Sequence, residues 1–346
     1  MDVPDLLTFS VKNHASDLHL STGLPPMLRI NGEIRRLDLP TLAVQDIDTM
    51  LDAVMDEAQA NAYRRDLECD FSFEIAGLAR FRVNAFHQLR GPAAVIRTIP
   101  HDIPSLTQLG APAILAELAL RRQGLILVTG PTGSGKSTTL AAMVRHINEH
   151  CPAHILTVED PIEFIHRSDK SLISQRAVGA HTHTFANALR AALREDPDVI
   201  LVGELRDLDT IRLALSAAET GHLVLATLHT TSAAKSIDRI IDVFPGDEKD
   251  MARSMLSESL SAVVSQILLK SRRGDSRIAA HEIMLGTPAI RNLIRAGKVA
   301  QMVSVMQTAV GVGMQTLDHC LAELLRKDLI TPATARAAAR TLESLH

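Results

Sequence analysis

Hydrophobic and polar residues follow two different patterns along the chain. In roughly the first hundred residues, apolar and polar positions alternate over short stretches, which is typical of strands with one buried face. Farther along, short runs that are apolar throughout alternate with stretches of helical period, which predicts a parallel sheet with helices on both faces. After about residue 250 the pattern is mostly helical. The chain is therefore predicted to be an α/β protein with a smaller α+β unit in front.

The alternating stretches of the first unit predict strands joined by tight turns. Strands are predicted at 16–21, 26–32 and within the hairpin 71–88, and a helix at 44–63. Asn31 and Gly32 predict a two-residue hairpin turn, because both tolerate positive φ. The apolar face of the last strand is Phe81, Val83 and Ala85. The opposite face is Arg80, Arg82 and Asn84, which by pattern alone is an ordinary polar strand face.

The second region predicts four buried strands that alternate with helices. The strands are 125–130, 154–160, 199–204 and 222–229, and the helices are 137–150, 185–196 and 210–221. Between the two regions lie three prolines and one glycine without a lasting period, which predicts a linker. The predicted division is a first domain at 1–98, a linker at 99–112 and a second domain at 113–346.

Composition narrows the possible classes of function. The chain has 346 residues, of which 46% are apolar and 22% charged, as in globular proteins. Aromatic residues make up 3% and tryptophan is absent, which argues against sites built on aromatic stacking. The net charge of −4 lacks the basic surplus of a nucleic-acid-binding domain. Direct nucleic-acid binding is therefore not expected.

Cysteine and histidine spacing does not predict a zinc site. The cysteines Cys69, Cys151 and Cys320 lie far apart and form no CxxC pair, which also suits a reducing compartment. His181 and His183 are interpreted as two solvated imidazoles, because the nearby sequence offers no third ligand at a useful spacing. We therefore expect no zinc.

The start of the chain does not resemble a signal peptide. It is acidic and lacks a basic segment followed by an apolar stretch. No apolar run in the sequence approaches the ~18 residues that a membrane-spanning helix needs. The sequence thus predicts a cytoplasmic protein whose membrane association, where it occurs, is peripheral.

A phosphate-binding loop is predicted between the strand 125–130 and the helix that follows it. The segment GPTGSGKS fits the pattern G-x-x-x-x-G-K-[ST] in the required strand–loop–helix context. Glycines let successive N–H groups point at phosphate oxygens, and the helix adds the positive end of its dipole. Lys136 would supply a cation to the β- and γ-phosphates, and the Ser137 hydroxyl would ligate Mg²⁺. The predicted nucleotide-binding residues are Gly130, Pro131, Thr132, Gly133, Ser134, Gly135, Lys136, Ser137 and Thr138.

Hydrolysis additionally needs a group that orients water and one that senses the γ-phosphate, and three strands offer candidates. Glu163 follows the second strand, and Glu204 ends the third, where a Walker B acid would lie. His222 and His229 flank the fourth strand. Pattern alone leaves simpler alternatives for each: a solvated strand-end acid, a salt-bridged surface acid or a turn histidine.

Taken together, these segments resemble the secretion-superfamily ATPases over essentially the whole chain. The segments GPTGSGKST (130–138), ILTVEDPIEFIH (155–166), LREDPDVILVGELRD (193–207) and TGHLVLATLHT (220–230) resemble, in order, the family's Walker A, Asp, Walker B and His boxes. A further segment, 16–37, resembles the opening of the family's PAS-like domain. The resemblance implies an N-terminal PAS-like domain and a C-terminal RecA-like P-loop ATPase domain whose last region is mostly helical.

Two features resemble the pilus-retraction branch of that family. The segment PAIRNLIR (288–295) resembles the AIRNLIR motif associated with retraction motors, and a zinc-binding tetracysteine insert is absent. Thr287 can cap this helix and Pro288 suits its first position. The predicted coupling residues are Ala289, Ile290, Arg291, Asn292, Leu293, Ile294 and Arg295. By pattern alone the segment would be an ordinary amphipathic helix.

The resemblance also implies residue roles, ligands and an assembly. The implied ligands are ATP and Mg²⁺, bound at subunit interfaces of a homohexamer. Glu204 would lie near Mg²⁺ and the attacking water, and Glu163 competes with it for positioning that water. His222 and His229 would couple the phosphate to the subunit interface. The arginines implied to neutralise γ-phosphate charge, in the same subunit or a neighbour, are Arg80, Arg82 and Arg97.

These implications predict a Mg²⁺-dependent ATPase motor that powers type IV pilus retraction and twitching motility. Its expected partner is an integral inner-membrane platform protein, with a paralogous retraction ATPase as a second one. Its expected place is the cytoplasmic face of the inner membrane at the pilus base. The alternatives are a related ATPase of pilus assembly, DNA uptake or type II secretion, and a nucleotide-binding regulator of a paralogous motor.

Overall fold

A computed structural model describes residues 2–99, 102–274 and 276–341. The chain divides into two compact units, residues 1–102 and residues 103–346. Each unit has a hydrophobic core of its own. Among the described helices, none combines the length and the apolar composition that crossing a bilayer demands.

The first unit packs helices against an antiparallel sheet. Its helices are α1 (Val3–Lys12), α2 (Val44–Asp52) and α3 (Glu57–Asp66). Its strands are β1 (Asp17–Ser21), β2 (Met27–Ile30), β3 (Glu33–Arg36), β4 (Glu68–Ile75), β5 (Ala79–Gln88) and β6 (Gly91–Ile99). The described strands run in the order β3-β2-β1-β6-β5-β4, and each neighbouring pair is antiparallel.

The hairpins predicted for the first unit are confirmed. Asn31 and Gly32 have φ angles of 51° and 88° and join β2 to β3. The apolar face of β5, which includes Phe81 and Val83, is buried in the core. The helix predicted at 44–63 is instead two helices, because Asp56 begins a new one with a capping box. Helix α1 and strand β6 were not predicted from the sequence.

The second unit is a mostly parallel sheet with helices on both faces. Its strands are β7 (Gly124–Thr129), β8 (His154–Glu159), β9 (Leu172–Ala177), β10 (Val199–Val202), β11 (Leu223–Leu228), β12 (Leu260–Lys270) and β13 (Arg277–Leu285). Its helices are α4 (Ile114–Ala119), α5 (Lys136–His150), α6 (Phe185–Ala192), α7 (Leu208–Glu219), α8 (Ala233–Asp242), α9 (Lys249–Ser259), α10 (Pro288–Arg295), α11 (Met302–Thr308), α12 (Leu317–Arg326) and α13 (Pro332–Ala338).

The described strands of this sheet run in the order β13-β12-β7-β11-β10-β8-β9, and only β13 is antiparallel to its neighbour. The four predicted strands are confirmed as β7, β8, β10 and β11. Every residue of β7, β10 and β11 is buried, because helices cover both faces of the sheet.

One part of the second unit corrects the sequence-based prediction. The region after residue 250 was predicted to be mostly helical, yet β12 and β13 form a long hairpin within it. Strand β12 lies between β7 and β13, and most of its residues are buried whether apolar or polar, so its sequence does not alternate. Such a run does not show the alternation by which a half-buried strand is detected, and its length resembles that of a buried helix.

Candidate nucleotide site

The loop after β7 has the backbone conformation of a phosphate-binding loop. Gly130, Gly133 and Gly135 have φ angles of 146°, 77° and 86°, which side-chain-bearing residues rarely adopt. A Cβ on Gly130 would also collide with the carbonyl oxygen of Gln266, and one on Gly135 would lie 2.9 Å from the Gln266 Nε2. The loop therefore favours glycine at all three positions for conformation, and at Gly130 and Gly135 also for space.

Lys136 lies across this loop at the start of α5. Its Nζ donates hydrogen bonds to the carbonyl oxygens of Gly130, at 2.9 Å, and Pro131, at 3.1 Å. Burial lowers the pKa of Lys136, while the charges of Glu204 and Glu163 act to raise it. Both carboxylates are therefore close enough to act on the lysine ammonium, so the fold brings these three predicted residues together.

Gln266 on β12 holds the loop in place, and sequence reasoning missed it. Its Nε2 donates to the carbonyl oxygen of Ser134 at 2.7 Å, and its Oε1 accepts from the Thr139 hydroxyl at 2.8 Å. The side chain is buried, so both ends of the amide are satisfied away from water. The signal available in the sequence was the polar pair Ser265 and Gln266 within a largely apolar run.

Glu204 follows β10 at the same edge of the sheet and is held by two basic side chains. Its Oε2 lies 2.7 Å from Arg206 Nη2, and its Oε1 lies 3.2 Å from His229 Nε2. Burial acts to raise the pKa of Glu204, but Arg206 and His229 together outweigh it and the pKa is lowered. The group is thus a fixed carboxylate and a weak proton acceptor.

Glu163 lies in the loop after β8, and the half-buried Glu159 shapes that loop. The Oε1 of Glu159 accepts hydrogen bonds from the Thr157 hydroxyl, at 2.7 Å, and from Gln175, at 3.3 Å. Its Oε2 accepts from the backbone N–H of Glu163 at 3.5 Å. Burial raises the pKa of Glu159 despite these bonds. Glu159 was not among the predicted site residues, although it lies in the segment 155–166 that resembles the family's Asp box.

The remaining loop residues differ in their exposure to solvent. Pro131, Thr132 and Gly133 are exposed at the tip, and Ser137 is exposed on the first turn of α5. Thr138 is half-buried beside it. The Ser134 hydroxyl is buried and makes no hydrogen bond to the described residues. The exposed Ser137 hydroxyl and the Glu204 carboxylate are hard oxygen donors, a set that Mg²⁺ accepts.

His222 lies at the opposite edge of the sheet from the loop. It precedes β11, and its carbonyl oxygen accepts from the N–H of Gly124, the first residue of β7. The His222 Nδ1 lies 3.0 Å from the carbonyl oxygen of Ala217, to which it donates. A six-residue strand is roughly 20 Å long, so His222 and His229 are separated by about that distance. Within one chain, only His229 joins the loop residues.

The arginines predicted to neutralise phosphate charge all belong to the first unit. Register pairs Arg82 with Arg97 across β5 and β6, and Arg80 lies on the same polar face of β5. Each has a partner within that unit. Arg80 donates to the Ser72 hydroxyl at 2.8 Å, Arg82 to both oxygens of Asp70, and Arg97 to Asp17 at 2.9 Å.

The predicted coupling segment is a helix, α10, whose two faces are used differently. Ile290 and Ile294 are buried, and Leu293 packs partly against the same core. Arg295 Nη1 lies 2.6 Å from a Glu258 carboxylate oxygen. Arg291 Nη1 lies 3.9 Å from the other oxygen of Glu258.

The first turn of α10 confirms one expectation and corrects another. Pro288 stands at the start of the helix as expected, and Thr287 occupies the N-cap position. However, the Thr287 hydroxyl is buried and makes no hydrogen bond to the described residues, so it does not cap the helix. A separate hydrogen bond joins the helix to the preceding residues, since the Arg291 Nε donates to the carbonyl oxygen of Gly286 at 2.9 Å.

A glycine-rich loop between a central parallel strand and a helix, with a lysine flanked by two carboxylates, defines a P-loop ATPase of the α/β class. Residues 3–310 match the protein family described as Type II/IV secretion system protein. The chain belongs to this family.

Full-length relatives are similar to the chain throughout. It is 58% identical, over 99% of its length and 100% of the relative's, to the type IV pilus retraction ATPase PilT of Pseudomonas aeruginosa. It is 59% identical to the twitching motility protein of Neisseria gonorrhoeae, over 92% of this chain and 86% of that one. A crystal structure of the pilus retraction motor PilT with bound ADP superposes with a TM-score of 0.89 at 45% identity, covering 100% of this chain and 99% of the other.

Proposed function

We propose that the chain is an ATPase that powers type IV pilus retraction, and hence twitching motility, as a homohexamer. The observation that carries this proposal is the 58% identity to a pilus retraction ATPase along the whole of both chains. The arrangement of Lys136, Glu204 and Glu163 at one edge of the sheet supports it, because nucleotide hydrolysis needs a cation and carboxylates at the same place.

The loop 130–138 binds the phosphates of ATP. The backbone N–H groups of the loop and the first turn of α5 donate to the phosphate oxygens. Lys136 exchanges its two hydrogen bonds with loop carbonyl oxygens for contacts with the β- and γ-phosphates. Gln266 keeps the loop in its open shape, so that little ordering is required when the nucleotide binds.

Ser137 and Glu204 are the residues that would hold Mg²⁺. When bound, Mg²⁺ neutralises charge on the β- and γ-phosphate oxygens. The lowered pKa of Glu204, whose burial is outweighed by Arg206 and His229, keeps it ionised and so suited to a cation. The same lowered pKa makes it a poor proton acceptor.

Glu163 is therefore the better candidate for orienting the attacking water. It lies near the Lys136 ammonium and is positioned through its backbone by Glu159. His229, which contacts Glu204 from the end of β11, can transmit a change at the carboxylate to α8 and its neighbours. His222 is assigned no direct role in the chemistry within its own subunit.

The assembly part of the proposal extends the site beyond one chain. In the hexamer, Arg80, Arg82 and Arg97 neutralise charge on the γ-phosphate, which requires exchange of their present partners within the first unit. Helix α10 contacts an integral inner-membrane platform protein and passes the motion to it. The protein would then act at the cytoplasmic face of the inner membrane, at the pilus base.

Deletion of the coding sequence in its own host tests the motor and separates it from its alternatives. We expect surface pili to accumulate while twitching stops, because assembly continues without retraction. Loss of pili would instead identify an assembly motor. ATP turnover by the purified protein separates an active motor from a regulator, since a regulator would show no turnover above that of the Lys136→Ala variant.

A further inference from the structure

A cluster of potential metal ligands lies at the far end of α5 from the phosphate-binding loop. The helix has 15 residues and begins with Lys136, so its last turns are about 20 Å from the loop. His146, Glu149 and His150 occupy positions i, i+3 and i+4, which lie on one face of a helix. Within 2–99, 102–274 and 276–341, this is the one group of three such residues whose ligand atoms converge.

The ligand atoms of these three side chains are close to a binding geometry. They lie within 4.8 Å of one another, and the two imidazole centroids are 4.2 Å apart. Bonds of about 2.0–2.1 Å in a tetrahedral zinc site place neighbouring ligand atoms about 3.4 Å apart. Side-chain rotations that move the ligand atoms by about an ångström would therefore bring them to the separations of a bound cation.

The chemical state of the histidines also suits a metal. The His150 Nδ1 lies 2.7 Å from the carbonyl oxygen of His146, to which it donates, so its Nε2 carries the free lone pair. The cluster lies at the helix C-terminus, where the dipole favours positive charge.

The carboxylate of the cluster is shared with an arginine. Arg145 Nε donates to Oε1 of Glu149 at 2.7 Å, and its Nη1 donates to the carbonyl oxygen of Ile103. This contact uses one oxygen of the carboxylate, and Oε2 is the atom that would bind a cation. The arginine fixes the carboxylate orientation, as partners of metal-bound carboxylates generally do.

We propose that His146, Glu149 and His150 form a binding site for a borderline transition-metal cation such as Zn²⁺, with water completing the coordination. Two imidazoles and one carboxylate select this class over Mg²⁺ and Ca²⁺, which prefer all-oxygen ligands. The site is separate from the Mg²⁺ site proposed at the loop and does not rest on the proposed motor function. Bound metal would tie the last turn of α5 together and raise its thermal stability.

Equilibrium dialysis with Zn²⁺ tests the proposal directly. The untagged full-length protein is treated with a chelator, exchanged into nucleotide-free buffer and dialysed against Zn²⁺. We expect one Zn²⁺ per chain and a higher Tm when it is bound. Co²⁺ in place of Zn²⁺ should give visible absorption bands of a four- or five-coordinate site.

Variants assign the binding to these residues. His150→Ala removes an exposed side chain, so the fold should persist, and it should weaken Zn²⁺ binding at least ~10-fold. Glu149→Gln should weaken it less. The control is His183→Ala, which removes an imidazole that is also exposed but lies outside α5, and it should leave binding unchanged. Circular dichroism checks that each variant is folded.

Two results would overturn the proposal. One is wild-type protein that binds less than one Zn²⁺ per chain at concentrations that saturate known two-histidine sites. The other is a folded His150→Ala variant with unchanged stoichiometry and affinity, because the metal would then be bound elsewhere.

Discussion

The two edges of the parallel sheet use charged residues in different ways. At the carboxyl edge, Lys136 donates to two carbonyl oxygens of its own loop, with the carboxylate of Glu204 nearby. At the amino edge, Arg291 and Arg295 on α10 face the single carboxylate of Glu258. Lys136 can exchange its contacts with carbonyl oxygens for contacts with a phosphate. The charges of the two arginines are already paired with a carboxylate.

The direction of the chain explains why the chemistry lies at one edge. In a parallel sheet, each helix begins where a strand ends, so helix N-termini and loop N–H groups collect at the carboxyl edge. The amino edge instead contains an open cavity of about 590 Å³ with mixed charges, including Arg122, Glu219 and Arg291. This difference predicts that substitutions at the two edges will have separable effects on turnover.

Lys136→Ala should have the largest effect on turnover. Removing the cation should lower kcat/KM for ATP by at least ~10²-fold, because Lys136 is the cation held within the phosphate-binding loop itself. ATP hydrolysis and nucleotide affinity, measured on the purified protein, check this. Wild-type turnover in this variant would show that the carboxyl edge is not the catalytic edge.

Glu163→Gln and Glu204→Gln should both stop most hydrolysis but differ in their response to Mg²⁺. Glu163→Gln should lower kcat by ~10²-fold with an unchanged Mg²⁺ requirement, since it removes only the group that orients water. Glu204→Gln should raise the Mg²⁺ concentration for half-maximal rate about tenfold. Titration of turnover with Mg²⁺ measures both effects. If Glu163→Gln raised the Mg²⁺ requirement and Glu204→Gln left it unchanged, the assigned roles of the two glutamates would be reversed.

Gln266→Ala should impair the loop without touching the nucleotide. Loss of its two buried hydrogen bonds should lower the free energy of unfolding by about 1–3 kcal/mol. It should also weaken ATP binding several-fold. The matched control is Gln315→Ala, because Gln315 likewise donates to a carbonyl oxygen, that of His281, but away from the loop. Equal ATP affinity in the two variants would contradict a positioning role for Gln266.

His229→Ala and His222→Ala compare the two edges within one strand. His229→Ala should lower turnover a few-fold and shift the acid limb of the pH–rate profile to higher pH. The reason is that His229, after the larger contribution of Arg206, helps to keep the pKa of Glu204 low against its burial. His222→Ala should leave turnover within about twofold. A larger loss in His222→Ala would show that the amino edge takes part in catalysis, for example across a subunit interface.

Arg291→Ala should have the smallest effect on turnover. Hydrolysis should stay within about twofold of wild type, because Glu258 keeps its shorter contact with Arg295. Twitching of cells that carry the variant should nevertheless be reduced, if α10 transmits the motion. Arg253→Ala on α9 is the control, since that arginine forms a salt bridge with Asp250 on its own helix. Simultaneous loss of fold and turnover in Arg291→Ala would identify α10 as a packing element only.

Local features of the molecule could be predicted from the sequence. The turn at Asn31 and the loop at 130–137 were found because backbone conformation there depends on glycine and its immediate neighbours. The strands β7, β10 and β11 were found because full burial requires apolar residues throughout. The same criterion failed for β12, where length and composition suited a buried helix equally well.

Chain direction could also have separated the two histidines. His222 precedes its strand and His229 follows it, so a parallel sheet must place them at opposite edges. The resemblance implied one shared role for the two histidines, because both belong to the segment that resembles the His box. Membership of one motif does not bring their side chains together in space. In the same way, the spacing of His146 and His150 on α5 was visible in the sequence, but it was not interpreted.

The sequence by itself determined the phosphate-binding loop, the alternation of strands and helices and the family to which the chain belongs. Tertiary structure alone decided that Gln266 supports the loop from 132 residues away and that His229 joins Arg206 in lowering the pKa of the half-buried Glu204. It also decided that Arg291 and Arg295 share Glu258. The physical reason is range: backbone conformation follows from neighbouring residues, whereas pairing, burial and pKa depend on which distant segments the fold brings into contact.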